Sequence, residues 1–120
     1  MNSLVKIYNV LILLHSSGVK RLSLSKKWSA FNKINVCRET DNFGVYELGN
    51  SSDILYIGEG KVRTRLLTHF STGKEPIVGA SYYRVEYTGS KLRAVQRQNA
   101  ELAKYKRLHG KYPRYNQRKG

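Results

Sequence analysis

The sequence predicts an α+β domain, and three observations carry that prediction. Two short apolar runs, Gly44 to Leu48 and Ile54 to Ile57, flank the polar cluster Gly49 to Asp53, which is the pattern of a β-hairpin. Ala80 to Thr88 alternates, with Tyr83, Val85 and Tyr87 on one face and Tyr82, Arg84 and Glu86 on the other, and so predicts a third strand. Around these strands apolar residues recur at helical spacing, as in Val62, Leu66, Leu67 and Phe70.

Taken in chain order, Leu4, Ile7, Tyr8, Leu11 and Leu14 recur in steps of three and four and predict an amphipathic first helix, although Val10 to Leu13 also suits a buried strand. Ser16, Ser17 and Gly18 interrupt it. The segment holding Lys26, Lys27, Trp28 and Phe31 is basic and aromatic, and Trp28 reads as a packing residue rather than a stacking platform. The hairpin follows, then a helix over Lys61 to Phe70 that ends in the turn at Gly73. After the third strand Ser90 offers an N-cap for a helix running to about His109, where Gly110 and Pro113 stop it.

At 120 residues the chain suits one domain, because two separate cores would each bury too little apolar surface. Its 22 Lys and Arg against 8 Asp and Glu give a net charge of +14. Such an imbalance repels itself unless it serves a polyanion, and nucleic acid is the leading partner over an anionic membrane surface. The single cysteine, Cys37, excludes a disulfide framework and a cysteine metal site and suits a reducing, cytoplasmic setting. The one long apolar stretch, Leu4 to Leu14, is broken by Lys6 and Asn9 and is too short for a membrane span. It also lacks the cleavage site of an export signal.

Gly44, Val45 and Tyr46 on the first strand, Tyr56, Ile57 and Gly58 on the second, Arg65, Leu66, His69 and Phe70 on the next helix, and the terminal Pro113, Tyr115 and Asn116 together resemble the GIY-YIG nuclease family. The resemblance spans residues 44–116 and implies a small three-stranded antiparallel sheet flanked by helices. Residues 1–43 would form an N-terminal helical extension, packed on the domain or docking a protein partner, and residues 117–120 a basic tail. The implied activity is a metal-dependent endonuclease acting on nucleic acid, with DNA preferred over RNA.

Phosphodiester hydrolysis needs a group that takes a proton from water, donors for the charge that builds on phosphate, and balance at the leaving oxygen. The resemblance assigns Tyr46 as the base or water-orienting group with Tyr56 beside it. Arg65 would be the forked phosphate donor and His69 a proton donor or phosphate contact. Arg63, two positions away on a different side of the helix, competes with Arg65. Lys61, Arg63, Arg84 and Asn116 are candidate nucleic-acid contacts. The spacing from Gly58 to Arg65 is one residue shorter than the common family pattern.

The family holds a divalent metal, expected to be Mg2+ or Mn2+, on a glutamate of the last helix. Here the common register places Gln98 at that position, and a neutral amide binds such a cation weakly. Glu101 is one turn on and is the alternative metal ligand if the register slips. An apolar stripe of Leu92, Val95, Leu102 and Ala103 leaves Gln98 at its edge and Glu101 nearly opposite, as a solvated partner for Arg97 or Lys104. Three readings follow: an active endonuclease, a binding protein that has lost its metal ligand, and a scaffold in a nucleoprotein assembly.

Overall fold

The computed structural model describes residues 27–117. The helix expected over Leu4 to Leu14 lies outside them, as does most of the tail. The elements in order are β1 (Ser29–Ala30), α1 (Lys33–Arg38), β2 (Phe43–Gly49), β3 (Ile54–Lys61), α2 (Val62–Thr68), β4 (Tyr82–Tyr87), α3 (Lys91–His109) and a final single turn (Arg114–Asn116). The α+β class holds. Among the described residues the sheet, however, has four antiparallel strands in the order β1-β4-β2-β3, where three were expected. The extra strand comes from the N-terminal segment: Ser29 and Ala30 pair with Tyr83 and Tyr82. Two residues carry too little periodicity to be seen as a strand in sequence, so only the partner edge reveals it.

β2 lies between β3 and β4, which explains why its residues from Gly44 to Gly49 are all buried. Its alternate side chains divide the interior. Tyr46 and Leu48 join Tyr83, Val85, Val62, Leu66 and Val36 in one cluster, under α1 and α2. Val45 joins Ile54, Ile57 and Tyr105 in a second, smaller cluster under α3, with Trp28 packed against it. The register of β2 with β3 slips at the hairpin end, where Leu48 faces Tyr56 but Gly49 faces Ile54. The extra residue, Leu55, turns with Tyr56 toward the first cluster, and a bulge of this kind re-aims the following side chain.

The caps expected for α3 are present. The Ser90 side chain accepts from the Arg93 amide, and Gly110 closes the helix in the left-handed region at φ 79°. The expected inner stripe is corrected in part: Leu102 packs on the second cluster, but Leu92 is 67% exposed, while Ala94, Glu101, Lys104 and Tyr105 are buried. The cause lies in the sheet. The face beneath α3 carries Glu47, Arg84 and Glu86, so the helix face that fits it must supply matching charge. Arg84 meets Glu47 at 2.8 Å with both side chains 1% exposed. Arg97 bridges Glu86 at 2.9 Å and Glu101 at 3.0 Å, and Lys104 lies 3.8 Å from Glu101. Trp28 packs beneath the Arg84 guanidinium, 4.6 Å from its ring centroid, in the packing role expected of it.

Candidate functional site

The site is built on the exposed side of β3, where the hairpin, α2 and the loop after α2 meet. Tyr46 and Gly58 are direct cross-strand partners. A β-carbon at Gly58 would stand 2.5 Å from the Tyr46 hydroxyl and 2.6 Å from Cε2 of Tyr56. The second glycine therefore makes room for both tyrosines at once, while a β-carbon at Gly44 would meet the Glu86 carbonyl at 2.7 Å. Gly60, at φ 135°, is the other required glycine: a β-carbon there would lie 2.9 Å from Cγ of Arg65, whose stem crosses it.

Tyr46 is fully buried, and its hydroxyl lies 2.8 Å from Nε2 of His69. On the other side of the imidazole, Nδ1 lies 2.7 Å from the backbone carbonyl of Glu75. A carbonyl can only accept, so Nδ1 carries the ring proton, and in the neutral ring Nε2 is left as an acceptor. The phenol then donates to Nε2. Burial lowers the His69 pKa below its ordinary 6.5, with Arg65 adding to the effect and the Glu75 carbonyl opposing it, which keeps the ring neutral. Burial raises the Tyr46 pKa well above the ordinary phenol value, Tyr56 reinforces this, and Arg65 offsets part of it. The phenol at rest is protonated, with its proton aimed at a neutral imidazole.

Tyr56 completes the group, its ring centroid 5.0 Å from His69 and 6.1 Å from Tyr46. It opens onto a cleft of about 1000 Å³ lined also by the buried His69 and by Lys74, Gln98, Asn99 and Tyr112. A second hollow, reaching past Tyr56 and Gln98, is lined by Lys61, Arg65, Lys91 and Glu59. Arg65 is partly exposed on the wall of this hollow, paired at 2.7 Å with the Glu75 carboxylate. Burial works against its charge, but Tyr46 and Glu75 outweigh that and hold its pKa above the ordinary value.

The structure brings Tyr46, Tyr56, Arg65 and His69 together and separates the other candidates. Arg63 points away, donating at 3.1 Å to the carbonyl of Glu39 just after α1. Lys61 stays exposed at the rim, above the Phe43 ring. Arg84 is 2% exposed in the ionic layer under α3, so no nucleic acid reaches it without opening the domain. The Asn116 side chain is committed to the backbone of Ile57, accepting from its amide at 2.9 Å and donating to its carbonyl at 2.9 Å. The terminal Pro-x-Tyr-Asn is thereby a clasp on the outer edge of β3.

Gln98, at the edge of the expected stripe, lines both parts of the cleft beside Tyr56. Glu101, expected to be solvated, is 2% exposed under α3 and paired with Arg97 and Lys104. The remaining carboxylates at the cleft are engaged as well: Glu59 accepts from Lys91 through both oxygens at 2.9 Å, and Glu75 holds Arg65. No group of three or more His, Cys, Asp or Glu side chains suited to a cation occurs among the described residues. A hard divalent cation wants anionic oxygens, and the neutral Gln98 amide with two cation-paired carboxylates does not fit one.

Glu75 was not foreseen. It lies in a polar loop six residues beyond His69, and nothing in its local sequence distinguishes it from a solvated surface acid.

The fold and site define a small α+β domain with a buried tyrosine-histidine pair at the foot of a cleft rimmed by cations. Residues 22–107 match the family model described as a domain of unknown function, DUF7508, and the chain belongs to that family. The match stops short of the Pro113 to Asn116 clasp. No curated protein and no solved structure matches the chain. Among the described residues no helix is long and apolar enough to cross a membrane.

Proposed function

We propose that this domain binds nucleic acid, DNA in preference to RNA, and hydrolyses a phosphodiester bond at the cleft beside Tyr56, as a nuclease of the GIY-YIG type. The observation that supports this most strongly is the chain of hydrogen bonds from Tyr46 through His69 to the Glu75 carbonyl. A carbonyl-anchored neutral imidazole accepting from a phenol is arranged to receive a proton. Water attacks phosphorus as Tyr46 takes its proton and passes its own to Nε2 of His69. The bond to the leaving oxygen breaks, and that oxygen is protonated from the open cleft. Arg65 meets the charge that develops on the phosphate with fixed donors that need no reorganisation. Since the Tyr46 phenol is held protonated, the transfer to His69 accompanies the attack rather than preceding it.

The donors at the cleft, the neutral Gln98 amide with Glu59 and Glu75 paired to cations, do not suit a divalent metal. The test is incubation of the purified protein with supercoiled plasmid, branched and single-stranded DNA, with and without Mg2+ or Mn2+. Cleavage is expected to fall by about 10²–10⁴-fold on Tyr46→Phe, the usual worth of a positioned base, and to be lost on Arg65→Ala. Cleavage that survives both changes refutes the assignment.

A second reading, binding without cleavage, is favoured by one observation: Gln98 stands on the cleft wall where the family resemblance places a glutamate. Under that reading the wild-type protein binds DNA without cutting it, and Gln98→Glu confers Mg2+-dependent cleavage on the otherwise intact site.

A further inference from the structure

Glu75 uses two different atoms on the two halves of the site. Its carbonyl accepts from His69 Nδ1 at 2.7 Å, and its carboxylate holds the Arg65 guanidinium at 2.7 Å. The backbone of this residue is fixed at both ends: its amide donates to the Thr68 carbonyl at 2.9 Å, and the next anchoring point, the Ile77 amide, donates to the His69 carbonyl at 3.1 Å. The side chain is otherwise. Glu75 is 57% exposed at the pair and Arg65 30%, and they meet at the cleft mouth. Rotation about the Glu75 side-chain torsions would move the carboxylate off Arg65 and leave the carbonyl on His69 undisturbed.

A carboxylate oxygen 2.7 Å from a guanidinium nitrogen occupies a donor that an anionic phosphate would use. Arg65 is also the cation whose charge offsets part of the burial cost at the Tyr46 hydroxyl. We infer that the Glu75 carboxylate occupies an oxyanion seat on Arg65, and that a phosphodiester enters the site by displacing it. Glu75 is therefore a positioning residue for His69 through its backbone and an internal competitor for Arg65 through its side chain. The inference rests on the nucleic-acid reading proposed above and adds to it the place where the phosphate sits and the group that must leave first.

The side chain can be changed without touching the backbone anchor. Glu75→Gln keeps the carbonyl and the length of the side chain while removing the charge that competes with phosphate. Binding of a fluorescein-labelled DNA hairpin in Mg2+-free buffer is measured by fluorescence anisotropy for the wild type, Glu75→Gln, Arg65→Lys and the double variant, with circular dichroism to establish that each is folded. Glu75→Gln is expected to bind roughly two- to fivefold more tightly than wild type, the worth of a partly exposed ion pair. The gain is expected to shrink or vanish beside Arg65→Lys, because the forked guanidinium seat is then gone. An equal gain in both backgrounds means that Glu75 acts only as a distant negative charge and overturns the inference, as does an unchanged or weaker Glu75→Gln. If binding is sensitive to Arg65→Lys but not to Glu75→Gln, the competitor role fails while the nucleic-acid reading stands. If none of the four proteins binds, both fail together.

Discussion

Gly58→Ala is the substitution whose consequence can be worked most directly from the geometry. The added methyl would stand 2.5 Å from Oη and 2.6 Å from Cζ of Tyr46, and 2.6 Å from Cε2 of Tyr56. Carbon atoms in contact prefer about 3.5–4.0 Å, so each of these is short by roughly an ångström. Neither ring yields easily. Tyr46 is fully buried, tied to His69 at 2.8 Å and fixed opposite position 58 by the strand register. Overpacking of this kind costs about 1–3 kcal/mol, which for a domain of this size lowers the melting temperature by about 5–20 °C. The Tyr46 ring must tilt away, and the hydrogen bond to His69 lengthens or breaks.

Thermal unfolding followed by circular dichroism reads the first effect, and the 15N shift of His69 Nε2 reads the second. Gly89→Ala is the control, since a β-carbon there meets nothing within 4 Å and the backbone at φ 84° is its sole penalty, about 1–2 kcal/mol. Gly89→Ala should destabilise without moving the His69 signal. A Gly58→Ala protein that melts with the wild type and keeps the His69 shift would refute the packing argument for Gly58.

Three further outcomes follow from the described residues. Glu47→Gln removes the negative charge that Arg84 meets at 2.8 Å in a buried layer and should lower stability by about 3–5 kcal/mol in urea unfolding, whereas the double replacement Glu47→Met with Arg84→Met should recover most of it. Burial and the nearby Glu47 raise the Glu101 pKa from 4.5 to about 7, against the pull of Lys104 and Arg97. The folded state therefore holds that proton more tightly than the unfolded chain, and the contribution, complete below pH 4.5, is lost as the pH rises to about 7. Relative to Glu101→Gln, the wild type should lose stability across that window in urea midpoints, and parallel profiles would contradict it. Asn116→Asp keeps the acceptor for the Ile57 amide but loses the donor to the Ile57 carbonyl, with an expected cost of about 1–3 kcal/mol in the same assay.

The sequence by itself determined the hairpin, the strand at 82–87 and the long helix with both of its caps, because each has a local cause: alternation, turn residues, a serine at the start and a glycine at the end. It also placed Tyr46, Tyr56, Arg65 and His69 in one neighbourhood, since strand pairing and one turn of helix fix their spacing. What lies beyond reach of local pattern was decided by tertiary structure. Ser29 and Ala30 become a strand only because the β4 edge receives them. The inner face of α3 was misread as apolar because the period of a helix shows which residues share a face, and not what the opposing surface demands. Here that surface is a charged sheet, so Glu101 and Lys104 turn inward and Leu92 outward. The same limit applies to Arg63 and Arg65, two positions apart on one short helix, which only the carbonyl of Glu39 and the carboxylate of Glu75 tell apart. Chain order sets neighbours along an element, but the partner across it is chosen by packing.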